Sequence, residues 1–414
     1  MLYQFAEYQR ALLKPLTAWA AADMHAFTDP RSPFAYLPGA PGVAAGWELL
    51  YRVSKTYEKP AFDIEAVDQD GRKIPVLEQI VLETPFCQLV RFARAAQQAD
   101  AVAPFKENRP TVLLCAPLAG HHAVLLRETV ETLLLDHEVY VTDWSDARNV
   151  PVAYGPFHLD DYVAHLHAFI RHIGADSLHV LAVCQAAVPA LGAIALLGSA
   201  GEPTPKSLIL MGGPIDARRS VTAVGRLAAS QPIDWFRENL IDTVPAPYPG
   251  RGRKVYPGFL QHAGLVAAHP DRYASSHWDY YLDRVQGDVR RAEGHRRSGD
   301  AYNAVLDLAA EYYLDTIQIV FQEFRLARGN WCVRGQSVRP QAIRTTALLT
   351  IEGEQDDICG RGQTQAAHDL CAGVGARHKH HFTARRCNHY DLFSGPVWRA
   401  EVYPVVRDLI RQYA

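Results

Sequence analysis

A doubly wound α/β fold, built on a mostly parallel sheet with a mainly helical block inserted late in it, is what this 414-residue chain predicts. Three observations carry that prediction. From Thr111 to Gly213, short apolar runs alternate with segments of helical periodicity, the rhythm of successive βαβ units. The alternation then stops over residues 214–342, a stretch that reads as mostly helical and is unusually aromatic, with Trp235, Phe236, Tyr256, Trp278, Tyr280, Tyr281, Tyr312 and Tyr313 among its residues. It resumes with an apolar strand at Thr346–Ile351, followed by one more strand and a closing helix.

Taken in order, residues 3–27 form a helix carrying Phe5, Tyr8, Leu12, Leu13 and Trp19, and the proline- and glycine-rich Asp29–Gly46 reads as an irregular linker. A helix over Trp47–Tyr57 is followed by three strand-like runs, Phe62–Val67, Ile74–Leu82 and Phe86–Phe92, whose turn signals suggest an antiparallel entry to the sheet. Next come strands at Val112–Cys115 and Val139–Val141, with a helix at Leu125–Leu135 between them. The helix Leu159–Ile173 sets Tyr162, Val163, Leu166, Ile170 and Ile173 on one face. Val180–Val183 is a buried strand, Ala186–Leu197 a helix, and Leu208–Met211 another strand. Beyond the inserted block, a helix is expected near Gln363–Cys371, a strand at Lys379–Thr383 and a helix at Trp398–Tyr413. The core is therefore assigned to residues 1–213 and 343–414, with 1–57 as a helical extension and 214–342 as a lid.

Bulk properties narrow the function. A hydrophobic fraction of 48% supports a sizeable core, and a net charge of -3 leaves no nucleic-acid footprint. Seven scattered cysteines without a Cys-x-x-Cys argue against a disulfide framework and for a reducing cytosol. Met1–Phe27 is interrupted by Glu7, Arg10 and Lys14, unlike a signal peptide, and no apolar run is long enough to span a bilayer. A soluble cytoplasmic protein is expected.

The chemistry centres on Cys184. A strand that runs straight into a helix through Cys184-Gln185 forces a sharp turn with the cysteine at its top, the geometry of a nucleophile elbow. An inert buried thiol is the alternative on this segment alone. An α/β hydrolase places nucleophile, acid and base in that chain order. Asp356, after the late strand, is the chosen acid, with Asp357 as its competitor; His389, after the final strand, is the base. The oxyanion donors would be the backbone N–H groups of Gln185 and of Leu118 in the loop Pro117–His122. His121 and His122 read as a surface pair, with a place in the substrate pocket, beside Tyr390, as the alternative. His368, Cys371, His378, His380 and His381 offer metal ligands without regular zinc spacing, so no metal is expected.

At these residues the chain resembles the intracellular polyhydroxyalkanoate (poly-3-hydroxybutyrate) depolymerase family. The resemblance covers nearly the whole chain from Met1 and is carried by Tyr57-Glu-Lys-Pro-Ala-Phe-Asp63, Val141-Thr-Asp-Trp144, Val183-Cys-Gln185, Met211-Gly-Gly-Pro-Ile-Asp-Ala-Arg218, Ala310-Glu-Tyr-Tyr-Leu-Asp-Thr316 and His389-Tyr390. It implies an α/β-hydrolase fold, a Cys184, Asp356, His389 triad, and cleavage of ester bonds in stored polyester through a cysteine acyl-enzyme. It further implies a polyester granule surface as partner and no cofactor, with coenzyme A as an acceptor that could replace water. A homodimer stays open. The alternatives are a polyester-synthase-like acyltransferase and a non-catalytic granule-surface protein. Ala186 stands where the family usually has proline, and Asn388 and Asp391 where it usually has glycine.

Overall fold

The structure is a computed structural model and describes residues 2–95, 109–268 and 270–414. Its elements are α1 (Leu2–Thr28), α2 (Ala40–Ser54), β1 (Ala66–Gln69), β2 (Arg72–Glu83), β3 (Cys87–Arg94), β4 (Thr111–Cys115), α3 (Arg127–Leu133), β5 (Glu138–Trp144), α4 (Leu159–Ile173), β6 (Leu178–Val183), α5 (Ala187–Ala200) and β7 (Ser207–Met211). The inserted block follows with α6 (Ala223–Ala229), α7 (Ile233–Leu240), β8 (Asp242–Thr243), β9 (Lys254–Tyr256), α8 (Gly258–Ala268), α9 (Pro270–Gln286), α10 (Val289–Asn303), β10 (Leu308–Ala309), α11 (Ala310–Asp315), α12 (Arg325–Arg328), β11 (Cys332–Val333) and β12 (Gln336–Ser337). The core closes with β13 (Ala347–Gly353), α13 (Ala367–Leu370), β14 (Lys379–Ala384), α14 (Gly395–Val397) and α15 (Tyr403–Tyr413).

A nine-stranded sheet runs in the order β1-β2-β3-β5-β4-β6-β7-β13-β14. Its first strands enter antiparallel, and from β5 onward every pairing is parallel. This is a doubly wound, mostly parallel α/β sheet. Every residue of β6, β7 and β13 is buried, as the unbroken apolar runs of central parallel strands require. The strand order reverses around β4, which lies between β5 and β6, so the loops after β4 and β6 meet at a switch point at the carboxyl ends of the strands. Both candidate oxyanion donors lie on those loops.

The N-terminal helix matches its expected span, although Met1 lies outside the described residues. Three other expectations are corrected. Much of the supposed linker Asp29–Gly46 is the start of α2, because Gly39 caps that helix in the left-handed conformation and Pro41 sits in its first turn, where a missing N–H costs nothing. Phe62–Glu65 lies outside the assigned strands, with Asp63 turned to a left-handed φ of +49°; the Arg127 guanidinium donates to the carbonyls of Ala61 and Phe62 at 2.6 Å each. The helix expected over Gln363–Cys371 shrinks to Ala367–Leu370, because the buried Glu352 carboxylate captures the N–H groups of Gly362, Thr364 and Gln365 and holds them as turns. The inserted block, expected to be mostly helical, also holds a three-stranded sheet, β10-β9-β8, and the hairpin β11-β12.

Candidate active site

Cys184 directly follows β6 with φ +54°, a left-handed conformation that a non-glycine residue holds only where its surroundings impose it. Ala186 and Ala187 behind it are fully buried, and a short 3₁₀ turn over Cys184–Ala186 leads into α5. The neighbouring strand makes room for this turn. A β-carbon on Gly213 would lie 2.2 Å from the Ala187 Cβ and 2.8 Å from the Cys184 carbonyl oxygen. Gly212, at φ +59°, likewise leaves space for the His389 ring, whose Cε1 would lie 3.2 Å from an added β-carbon. The Met211-Gly-Gly-Pro stretch was noticed in the sequence, but the steric role of its glycines emerges only from the fold.

The loops after β13 and β14 bring the acid and base together. His389 Nδ1 donates to Asp356 Oδ2 at 2.7 Å, with both side chains buried. Asp356 Oδ1 accepts from the backbone N–H of Ile358 at 2.9 Å and of Cys359 at 2.8 Å, so the carboxylate cannot rotate without losing partners. The imidazole also lies within electrostatic reach of the Cys184 side chain. Burial alone would drive His389 toward the neutral form; the negative charges of Cys184 and Asp356, with the Asp356 hydrogen bond, outweigh it and raise its pKa well above the ordinary histidine value. Asp356, not Asp357, makes the contact with the base.

The two departures beside His389 form a clip. Asn388 Oδ1 accepts from the N–H groups of Tyr390 at 3.0 Å and Asp391 at 3.3 Å, while Asn388 Nδ2 donates to Asp391 Oδ2 at 2.5 Å. The extra carboxylate is thus turned toward Asn388 instead of the imidazole, and the loop is held by an Asx turn instead of by glycine freedom.

Gln185 is the second residue of the 3₁₀ turn, where the first N–H groups of a helix lack intrahelical acceptors. Leu118 is buried, and its N–H has no acceptor among the described residues. Its loop is anchored from below, where the Ala116 carbonyl accepts from Trp144 Nε1 at 3.0 Å and the Tyr162 hydroxyl at 2.7 Å. It is stitched from above by the inserted block: Gln261 Nε2 donates to the Ala119 carbonyl, Leu306 N–H donates to the Gly120 carbonyl at 2.8 Å, and His121 bridges Val305.

That cover overturns the surface-pair reading of His121 and His122. His122 is 5% exposed, and burial, then the nearby Lys59 and Arg148, push its pKa down to about 3. His121 is half-buried, its ring 5.0 Å from that of Tyr302, and burial, then His262, push it down to about 4. Tyr302 in turn packs 5.7 Å from Tyr390, whose hydroxyl pKa is raised by burial, Tyr302 and Cys184. Tyr302 was missed in the sequence because it stands in no motif. On the far edge of the sheet, His368 and His381 share the Thr350 hydroxyl at 3.0 and 2.9 Å, and His378 bonds the Tyr413 hydroxyl at 2.8 Å. No group of three or more metal-ligating side chains converges among the described residues.

Solved structures similar to this chain include a hypothetical protein from Pseudomonas aeruginosa, with 12% identity, covering 87% of this chain and 99% of that one, at a TM-score of 0.47. A thermophilic esterase from Thermogutta terrifontis has 11% identity, covering 82% of this chain and 98% of its own, at a TM-score of 0.43. The 2-hydroxy-6-oxo-6-phenylhexa-2,4-dienoate hydrolase from Rhodococcus sp. strain RHA1 has 13% identity, covering 82% and 99%, at a TM-score of 0.42. No curated protein matches the sequence. Residues 212–414, from the glycine pair after β7 to the last residue, match the family model described as PHB de-polymerase C-terminus.

Proposed function

We propose that the protein is a carboxylic-ester hydrolase that depolymerises stored poly-3-hydroxybutyrate, with Cys184 as nucleophile, His389 as acid and base, and Asp356 as the orienting carboxylate. The observation that carries this reading is the convergence at one elbow of a cysteine at φ +54° and a histidine fixed 2.7 Å from a buried carboxylate. The match of residues 212–414 to the PHB de-polymerase C-terminus family model supports the substrate class.

In this reading the Cys184 sulfur attacks the ester carbonyl, and the oxyanion is received by the N–H groups of Gln185 and Leu118. His389 gives its Nε2 proton to the departing alkoxide, leaving a thioester on Cys184. Water then attacks the thioester while His389 takes its proton, and the hydroxyacid or a short oligomer leaves as Cys184 is restored. Asp356 accepts throughout from Nδ1–H, which keeps Nε2 turned toward the sulfur.

The inserted block covers the site as a lid, and the N-terminal helix supplies the contact with the granule. Phe5, Tyr8, Leu12 and Trp19 are 62%, 64%, 60% and 55% exposed. Their helical spacing sets them along one side of α1, an apolar stripe suited to a polyester surface. No helix among the described residues is long and apolar enough to cross a membrane. The decisive experiment incubates native granules with the protein and with Cys184→Ala, with and without coenzyme A. Release of 3-hydroxybutyrate that disappears in the variant is expected. Release that persists refutes the nucleophile, and polymer growth from 3-hydroxybutyryl-CoA would reassign the protein as a synthase.

A further inference from the structure

A cavity of about 290 Å³ lies between α2, α9, α10 and the loop that carries the base. Its walls are mainly apolar, with Leu125, Val266, Tyr280 and Tyr302 among them, and one end is Tyr390, the residue that follows His389. A cation interrupts that lining. Arg52 faces the cavity although it is only 6% exposed. Its guanidinium carbon sits 4.8 Å above the Tyr280 ring, and Nη2 lies 3.2 Å from Asp300 Oδ1 and 3.5 Å from the Arg296 carbonyl oxygen. Nε and Nη1 hydrogen-bond to nothing among the described residues. Gly299 makes this position available, since a β-carbon there would lie 2.9 Å from Arg52 Nη2.

An apolar chamber that starts beside a catalytic base and contains a buried guanidinium with two unused nitrogens suits a short aliphatic ligand ending in a carboxylate. At about 290 Å³ it lies at the small end of ligand pockets, matching a short segment and not a long run of polymer. We propose that this cavity is the subsite for the carboxyl-terminal, leaving-group end of a hydroxyacid oligomer, with Arg52 as the residue that receives its terminal carboxylate. The proposal rests on the ester-hydrolase reading above. It makes the protein a chain-end enzyme: the fragment that departs as the alcohol is the one whose carboxylate Arg52 holds, and the bond cleaved is the one its length places at Cys184.

The test uses the full-length protein and two substrates, linear 3-hydroxybutyrate trimer with a free carboxylate and its methyl ester. Wild type is expected to prefer the free acid in kcat/KM by roughly ten- to hundredfold, the range of a charge-assisted hydrogen bond. Arg52→Met should bring that ratio near one, chiefly by lowering kcat/KM on the free acid. Because Arg52 also pairs with Asp300, Gly299→Ala provides a second route that leaves Arg52 and Asp300 in place: it crowds the guanidinium and should lower the ratio about threefold or more. A wild-type ratio at or below one, or a ratio unchanged in both variants, overturns the subsite while leaving ester hydrolysis standing. Failure to cleave either substrate overturns the hydrolase reading, and the subsite with it.

Discussion

Asp356→Asn probes the arrangement where it is most constrained. The carboxylate accepts three hydrogen bonds: His389 Nδ1 at 2.7 Å on one oxygen, and the N–H groups of Ile358 at 2.9 Å and Cys359 at 2.8 Å on the other. An asparagine has one oxygen to offer. If that oxygen keeps the two backbone donors, the amide NH₂ faces His389 Nδ1 and forces the imidazole to accept there. The ring proton then sits on Nε2, and the histidine can no longer take a proton from sulfur. If the amide turns around, the correct tautomer returns, but two buried N–H groups lose their acceptor at about 1–3 kcal/mol each. A total of about 2–6 kcal/mol keeps the productive orientation at roughly one part in 30 to one in 10⁴. The expected loss in kcat on a soluble ester such as p-nitrophenyl butyrate is therefore about 30-fold to 10⁴-fold, with a Tm close to wild type and intact binding. Retention of activity within tenfold of wild type refutes the reasoning, as does a greater loss in Asp357→Asn, which should be mild.

Three further predictions follow from other parts of the structure. Gly213→Ala places a methyl group against the Ala187 Cβ and the Cys184 carbonyl oxygen, neither of which can swing away, so it should cost about 1–3 kcal/mol in stability and about 10²-fold in kcat; Gly264→Ala, in open space on α8, should cost neither. His137 and His179 are 1% and 0% exposed, and burial pushes both down to about 4, so the unfolded chain takes up protons below about pH 6.5 while the folded protein does not. Their contribution to stability is full above about pH 6.5 and is lost as pH falls toward 4, on the order of 1–2 kcal/mol each by pH 5, which calorimetry would register as a falling Tm that His179→Gln partly flattens. Phe5→Ser with Leu12→Ser should weaken binding to polyester granules by roughly 10- to 100-fold, from the apolar area removed, and leave kcat/KM on a soluble ester unchanged; equal granule binding would detach α1 from that role.

The sequence carried the sheet and the elbow because both follow from local rules. Unbroken apolar runs marked β6, β7 and β13, and the step from strand to helix at Cys184 required a turn whatever surrounded it. Spans were less legible where a side chain replaced a backbone partner. Arg127 took the carbonyls that made Ala61–Phe62 look like part of a strand, and Glu352 took the N–H groups that would have extended α13. The Arg127 contacts reach across 65 and 66 residues, beyond any local window, and those of Glu352 across 10 to 13, outside the spacing of helical or strand neighbours. The same holds for the pocket. His121 and His122 read as exposed because the residues that bury them, Gln261, Leu306 and their neighbours, come more than a hundred positions later. Proline and glycine misled for the opposite reason, since at Gly39 and Pro41 they start a helix in the way they usually end one.

The stitching of the oxyanion loop has a consequence for engineering and for descent. Because Ala119, Gly120 and His121 are held by backbone and amide contacts to Gln261, Val305 and Leu306, loop 117–122 and segment 258–308 form one exchangeable module, although one belongs to the core in sequence and the other to the insertion. A chimera that swaps the insertion alone would leave two carbonyls of the loop searching for donors and the Leu118 N–H without a fixed direction. One that moves both pieces together preserves the register at the His121–Val305 bridge. Among related enzymes, lengths and sequences of these two segments should therefore change in step, while the rest of the insertion drifts independently.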